Sequence, residues 1–252
     1  GKGLFTKELE VALADGEIDL AVHSLKDMPT KLPDGLVLGA IPERADVRDA
    51  WITRPGEADA TPGTIGTASL RRACLAKRQF AGAHIEPIRG NVQTRLHRVL
   101  DEPPRQVDAV VLAWAGLSRI GLIDRDDVTI TPLDPEVWIP AVGQGALAVE
   151  CRADDADTLA ALATIHHADT ARCVTAERAF LRAVEGDCRV PVGAYATVSD
   201  DGRLTLRAFV GHPDGSAYLP ATESDDDPEA LGASVARRLL AAGGAELLAS
   251  LR

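Results

Sequence analysis

The chain has 252 residues, 46% hydrophobic and 26% charged, and no apolar run approaches the roughly 18 residues that span a bilayer, so a folded, soluble protein with a sizeable core is expected. Its formal charge of −11 argues against nucleic acid as the main partner, because phosphate binding needs a basic footprint. Cys74, Cys151, Cys173 and Cys188 show neither CxxC nor zinc-finger spacing and no export leader is in view, so a reducing cytosol and no metal centre are expected.

Leu9, Ala12 and Leu13, with Gly16 as a stop, predict a short helix over 7–15. A strand over 20–23 follows, then the polar stretch HSLKDMPT and a second strand over 36–41. Residues 42–63 read as irregular. Beyond them a strand (64–67), a helix (70–80), a strand (84–88), a helix (92–100) and a strand (107–112) alternate, which implies crossover connections and a largely parallel sheet. Residues 169–184 predict another helix. Three β-rich stretches, 192–198, 204–211 and 216–222, come next, joined as hairpins by Asp201-Gly202 and Asp214-Gly215. Asp225-Asp226-Asp227-Pro228 opens a terminal helical region whose acids suit a helix N-terminus. An α/β part followed by a separate α+β module is therefore expected.

Ligands of open α/β sheets bind beyond the carboxyl ends of the strands, where helix N-termini favour anions. Three polar segments are placed there: HSLKD after the first strand, GTASLRR at 66–72, and RGNVQTR at 89–95. Residues 66–100 carry Arg71, Arg72, Lys77, Arg78, Arg89, Arg95 and Arg98 against Glu86 alone, a local excess of six positive charges in an acidic protein. Lys77, Arg78 and Arg98 read as solvated helix-face charges. Arg71 and Arg72 in a first helical turn oppose the macrodipole, a cost that a bound anion would offset. Asp27, just before Met28-Pro29, is either a turn residue or a functional carboxylate; beside Lys26 it suits stabilising a cation better than donating a proton. Cys74, Cys151 and Cys173 read as buried, inert thiols. Cys188, between a helix and a strand in EGDCRVP, is the better candidate for reactivity, but Glu185 and Asp187 pull its thiol one way and Arg189 the other.

HSLKDMPTKLP, IGTASLRR, IRGNVQTRL, PAVGQGALAVECR and EGDCRVPVGAYA occur in this order, and together they resemble the porphobilinogen deaminase (hydroxymethylbilane synthase) family over the whole chain. The resemblance implies a transferase that condenses four porphobilinogen molecules head to tail into hydroxymethylbilane, releasing ammonia at each addition. It implies a dipyrromethane cofactor held by a thioether to Cys188 and a catalytic aspartate at Asp27. Lys26, Ser24, Thr67, Ser69, Arg71, Arg72, Arg89 and Arg95 would bind cofactor and substrate chain, with Gln144 and Gly145 lining a cleft. The implied fold has two domains like type II periplasmic binding proteins around that cleft, over 1–43 with 141–166 and over 44–140, and a smaller α+β domain over 167–252. A cytosolic monomer acting on a small molecule, with no membrane or nucleic-acid partner, is expected.

Relatives begin some tens of residues earlier, with a strand and helix that contribute an arginine and a serine to the site, so the first sheet is expected to lack a strand. Many relatives also have Gly where Asp187 stands. The alternatives to a working deaminase are a carboxylate-binding module without chemistry and an inactive truncated deaminase.

Overall fold

The computed structural model describes residues 4–103, 105–184 and 190–251. Helix α1 (Leu4–Ala14) leads into strand β1 (Leu20–Ser24), a single 3-10 turn (Leu25–Asp27) and β2 (Leu36–Ala40). Then come β3 (Asp49–Thr53), β4 (Thr64–Gly66), α2 (Leu70–Gln79), β5 (His84–Glu86), α3 (Val92–His97), β6 (Ala109–Ala113), α4 (Trp114–Arg119) and β7 (Thr129–Pro132). The chain returns through β8 (Leu147–Arg152), α5 (Ala156–Ala163) and the long α6 (Ala168–Ala183). It closes with β9 (Val192–Val198), β10 (Leu204–Gly211), β11 (Tyr218–Asp225), α7 (Pro228–Leu239), one π-helical turn (Leu240–Gly244) and α8 (Ala245–Ala249).

These strands form three sheets, with orders β1-β8-β2, β5-β4-β6-β3-β7 and β11-β10-β9. The protein is thus a mixed α/β structure with an antiparallel C-terminal sheet. The expectation of a largely parallel sheet is corrected: only β4 runs parallel to its neighbours β5 and β6, whereas β3 is antiparallel to β6 and β7, and β8 is antiparallel to β1 and β2. Only strands linked through a helix packed on their own sheet are bound to parallel crossovers, as in β4-α2-β5. β3 arrives from the first sheet and β8 returns to it, so neither is under that constraint. β3 itself lies in the stretch expected to be irregular. All five of its residues are buried, so DAWIT shows no alternation to announce a strand.

β1 lies at the edge of its sheet, and Leu20 and Val22 are exposed on the face where their partners Cys151 and Val149 meet Leu162 of α5. The C-terminal sheet is covered on one face by α6 and α7 through Phe180, Leu231 and Val235. On its other face Phe209, Tyr195 and Tyr218 pack with Cys74 of α2, Trp51 and Trp138. The Arg78 guanidinium stacks 3.9 Å from the Tyr218 ring centroid, so this charge covers an interface rather than a bare helix face. Cys74, Cys151 and Cys173 are buried, and burial pushes the Cys74 and Cys173 thiols up to about 11.

One buried carboxylate joins the parts. Glu177 of α6 accepts from Arg44 Nη1 at 2.6 Å and Nη2 at 3.1 Å, from the Gly143 N–H at 2.7 Å, and from the Ala196 N–H of β9 at 2.9 Å. Four donors satisfy a charge that would otherwise be costly to bury. Arg44 also donates from Nε to the Gln144 carbonyl at 2.8 Å, so the segments before β3 and before β8 are tied to each other as well as to α6.

Candidate functional site

The site is built where β1 and β4 end. Leu25 and Met28 are buried with Ile41, Ala146, Ala148 and Val174, and this anchoring leaves Lys26 and Asp27 between them on the exposed side of the 3-10 turn. Ser24, the last residue of β1, is exposed and precedes the turn without a side-chain cap bond. Lys26 is open to water yet densely surrounded by protein. That enclosure, and next the nearby Arg72, push its ammonium down to about 8 against the support of Asp27 and Asp49.

At the end of β4, Thr67 is buried; its N–H donates to the Glu86 carbonyl at 2.9 Å and its hydroxyl accepts from the Ser69 N–H at 3.2 Å. Ser69 then caps α2, accepting from the Arg72 N–H. The cap sets the helix phase that turns Arg71 and Arg72 inward, where both are buried. Arg72 reaches Asp49 Oδ1 at 3.2 Å from Nε and 2.8 Å from Nη2, and the Val111 carbonyl at 2.8 Å. Arg71 donates to the Ile139 carbonyl at 2.8 Å and makes an ion pair with Asp49 Oδ2 at 2.8 Å. Among the described residues, Arg71 Nε has no hydrogen-bond partner.

Asp49 is the buried carboxylate of this cluster that the sequence reading missed. Burial alone would raise its pKa, but Arg71 and Arg72 hold it far below the ordinary carboxylate range. The signal was an acid heading an apolar run, RDAWIT. The anion expected beside Arg71 and Arg72 is therefore partly supplied from within. Gln144, buried, donates to Asp49 Oδ1 at 2.9 Å and to the Val47 carbonyl at 2.8 Å, bracing this carboxylate.

Arg95, on α3, donates from Nε to the Gly90 carbonyl at 2.8 Å; its charge is opposed by burial and by Arg72 and favoured by Asp27, which places all three in one electrostatic neighbourhood. Arg89 is exposed on the loop after β5. The site thus gathers Lys26, Arg71, Arg72 and Arg95 around two carboxylates, Asp27 and Asp49. Cys188 lies outside the described residues, as do Glu185, Asp187 and Arg189. Behind the turn, His23 Nε2 stands 3.0 Å from the buried Glu150 Oε2, and burial raises the Glu150 carboxyl to about 7. Among the described residues no group of three or more His, Cys, Asp or Glu is arranged to hold a metal ion, and no helix is long and apolar enough to cross a membrane.

Gly145 has φ +86°, and a Cβ there would meet the Ala45 carbonyl oxygen at 2.6 Å. Its own carbonyl accepts from Arg119 Nη2 at 2.8 Å and from the Ala45 N–H at 3.2 Å. Gly145→Ala is expected to lower stability by more than the roughly 1–2 kcal/mol of a left-handed non-glycine residue, because backbone stands in the way. Gly121→Ala, at φ +69° with open space around it, is the control that shows the conformational cost alone. Equal urea midpoints for the two variants would refute the steric argument.

An electropositive site of this kind suits a ligand with several carboxylates. A family model described as "Porphobilinogen deaminase, dipyromethane cofactor binding domain" matches residues 1–160, and one described as "Porphobilinogen deaminase, C-terminal domain" matches 171–241. The chain is 46% identical over 254 residues to the porphobilinogen deaminase of Staphylococcus carnosus, covering all of this chain and 81% of that protein. It is 52% identical over 257 residues to that of Desulforudis audaxviator, with the same coverage. A third relative, from Brevibacillus brevis, is 47% identical and covered to 80%.

Proposed function

The chain belongs to the porphobilinogen deaminase family, and from that membership we propose how its residues divide the work of the reaction. The protein is a transferase of tetrapyrrole biosynthesis that condenses four porphobilinogen molecules into hydroxymethylbilane with release of ammonia, and it uses a dipyrromethane cofactor. Each porphobilinogen carries an acetate and a propionate, so the cofactor and every added unit bring carboxylates into the site. The cofactor, when bound, supplies the primer to which the incoming pyrroles are joined.

The residues present fit such a group. Among the described residues Arg71 Nε is buried without a hydrogen-bond partner, and Lys26, Arg72 and Arg95 add charge that Asp27 and Asp49 do not balance. In our reading Lys26, Arg71 and Arg72 hold carboxylates of the cofactor, with the Ser24, Thr67 and Ser69 hydroxyls as further donors, while Arg89 and Arg95 grip those of the growing chain. Asp27 accepts hydrogen bonds from pyrrole N–H groups and stabilises the positive charge that appears as ammonia leaves. Gln144 and Gly145 line the same cleft while bracing Asp49 and the crossing segments. The thioether is assigned to Cys188, five residues beyond the end of α6.

The finer architecture we infer is two lobes of the type II periplasmic-binding-protein kind, over 1–43 with 141–166 and over 44–140, around a cleft, with 167–252 as the cofactor-bearing domain. Two segments crossing between the first two sheets support this reading. The acidic, charged surface and the buried free thiols fit a cytoplasmic monomer.

The observation that carries the functional assignment is the gathering of Lys26 and Arg95 near Asp27 with buried Arg71 and Arg72 on the neighbouring Asp49. Intact-mass measurement tests it. Protein expressed with the biosynthetic pathway intact should be heavier than its sequence by one dipyrromethane, and Cys188→Ser should have the bare mass. An unmodified wild-type chain, or an adduct that survives Cys188→Ser, would remove the assignment.

A further inference from the structure

Arg178 lies on α6 one turn after Val174, and the two touch the segment that carries Asp27 in different ways. Val174 is buried against Leu25 and Met28, on either side of the Lys26-Asp27 pair. Arg178 Nη2 donates to the Pro29 carbonyl at 2.8 Å and to the Thr30 carbonyl at 3.3 Å. Among the described residues its guanidinium makes no ion pair, and burial together with Arg182 works against its charge, with Glu229 the opposing influence. Enclosing a cation to serve two main-chain carbonyls is costly unless their placement has a use.

The docking of α6 does not require this contact. Glu177, the preceding residue, already fastens the helix to Arg44, Gly143 and Ala196. Residues 28–35 form neither helix nor strand, and Pro29 has no N–H with which to be held in a ladder. An outside donor is what can fix the path of this stretch, and Arg178 supplies it two and three residues after Asp27.

We propose that Arg178 is a positioning residue that, from the helix leading into the Cys188 segment, clamps the Pro29-Thr30 carbonyls and so holds Asp27 at a set place relative to the attached cofactor. This rests on the site reading given above. Arg178 touches no reacting atom and acts through Asp27.

The test uses the cofactor-loaded enzyme with Arg178→Ala, Arg178→Gln and Arg178→Lys. Loading is followed by intact mass, turnover is expressed per loaded molecule, and deuterium uptake is followed over 25–31 and over α6. The Ala and Gln variants are expected to keep the adduct and to lose roughly tenfold in kcat, the scale of a small misplacement of a reacting group. KM should stay within about threefold, because binding itself is spared. Uptake should rise over 25–31 while α6 stays protected, and Lys, still able to reach a carbonyl, should recover part of kcat. Wild-type kcat per loaded molecule in Ala or Gln would overturn the proposal. So would uptake rising equally along α6, which would mark general loosening, or loss of the adduct with normal turnover in the loaded fraction. Should Ala fail to fold, Gln decides by the same criteria. If Asp27→Ala turns over normally the site reading itself falls; if Asp27→Ala is inert and Arg178→Ala is at wild-type speed, only the positioning role is lost.

Discussion

Asp27→Ala is expected to retain the covalent dipyrromethane and to lose about 10²–10³ in kcat, the usual consequence of removing one preorganised electrostatic group from a reacting centre. The charge that develops as ammonia departs is positive, and the neighbours of Asp27 are themselves cations: Lys26 feels it directly, and so does Arg95. Without that aspartate, a pyrrolic cation would form among Lys26, Arg72 and Arg95 with only Asp49, already paired with Arg71 and Arg72, opposite in sign nearby. Asp27→Asn should therefore be nearly as slow as Ala, because it keeps the shape and the hydrogen-bond acceptor but not the charge. Asp27→Glu should fall between. Steady-state formation of hydroxymethylbilane, normalised to the loaded fraction by mass, measures all three, and wild-type turnover in the Ala or Asn variant would dismiss the role given to Asp27.

Asp49→Leu should have the largest effect on stability. Arg71 and Arg72 are both buried, and Asp49 is the carboxylate that each meets. Replacing it leaves two buried guanidiniums whose remaining acceptors, among the described residues, are the Ile139 and Val111 carbonyls. Breaking a buried ion pair from one side costs about 3–5 kcal/mol, which for a chain of this size lowers the melting temperature by on the order of 10 °C. The loss should be greatest in the cofactor-free protein and smaller once ligand carboxylates can take over as partners. Thermal or urea unfolding of both forms provides the comparison. An unchanged midpoint in the cofactor-free variant would show that Asp49 does not hold the arginines in place.

Much of this arrangement was legible in the sequence wherever local chemistry and final position agree. The helix over 70–80 announced itself through Ser69 before an apolar-periodic run, and the structure gives Leu70–Gln79 with that cap. Strands β9 and β10 were bounded by turn signals and appear with the expected limits. Arg71 and Arg72 stood out because they are poor residues for a first helical turn, and both point into the site. What stayed hidden depends on partners distant along the chain. Asp49 gains its meaning only when β3 inserts between β6 and β7 and brings it to α2. Arg44 and Glu177, 133 residues apart, look like ordinary surface charges until they meet. Arg78 was read as a solvated charge because nothing local shows that Tyr218 will lie against it.

The four hydrogen bonds received by Glu177 have a mechanical consequence. Three regions of the molecule share one fastening, so none of them can slide there without breaking charge-assisted bonds in a dry setting. Space for a lengthening product must then come from bending elsewhere: in surface loops, or by swivelling about this rivet rather than by pulling the bodies apart. Glu177 is thus expected to act as a pivot, which slow amide exchange at Gly143 and Ala196 would bear out.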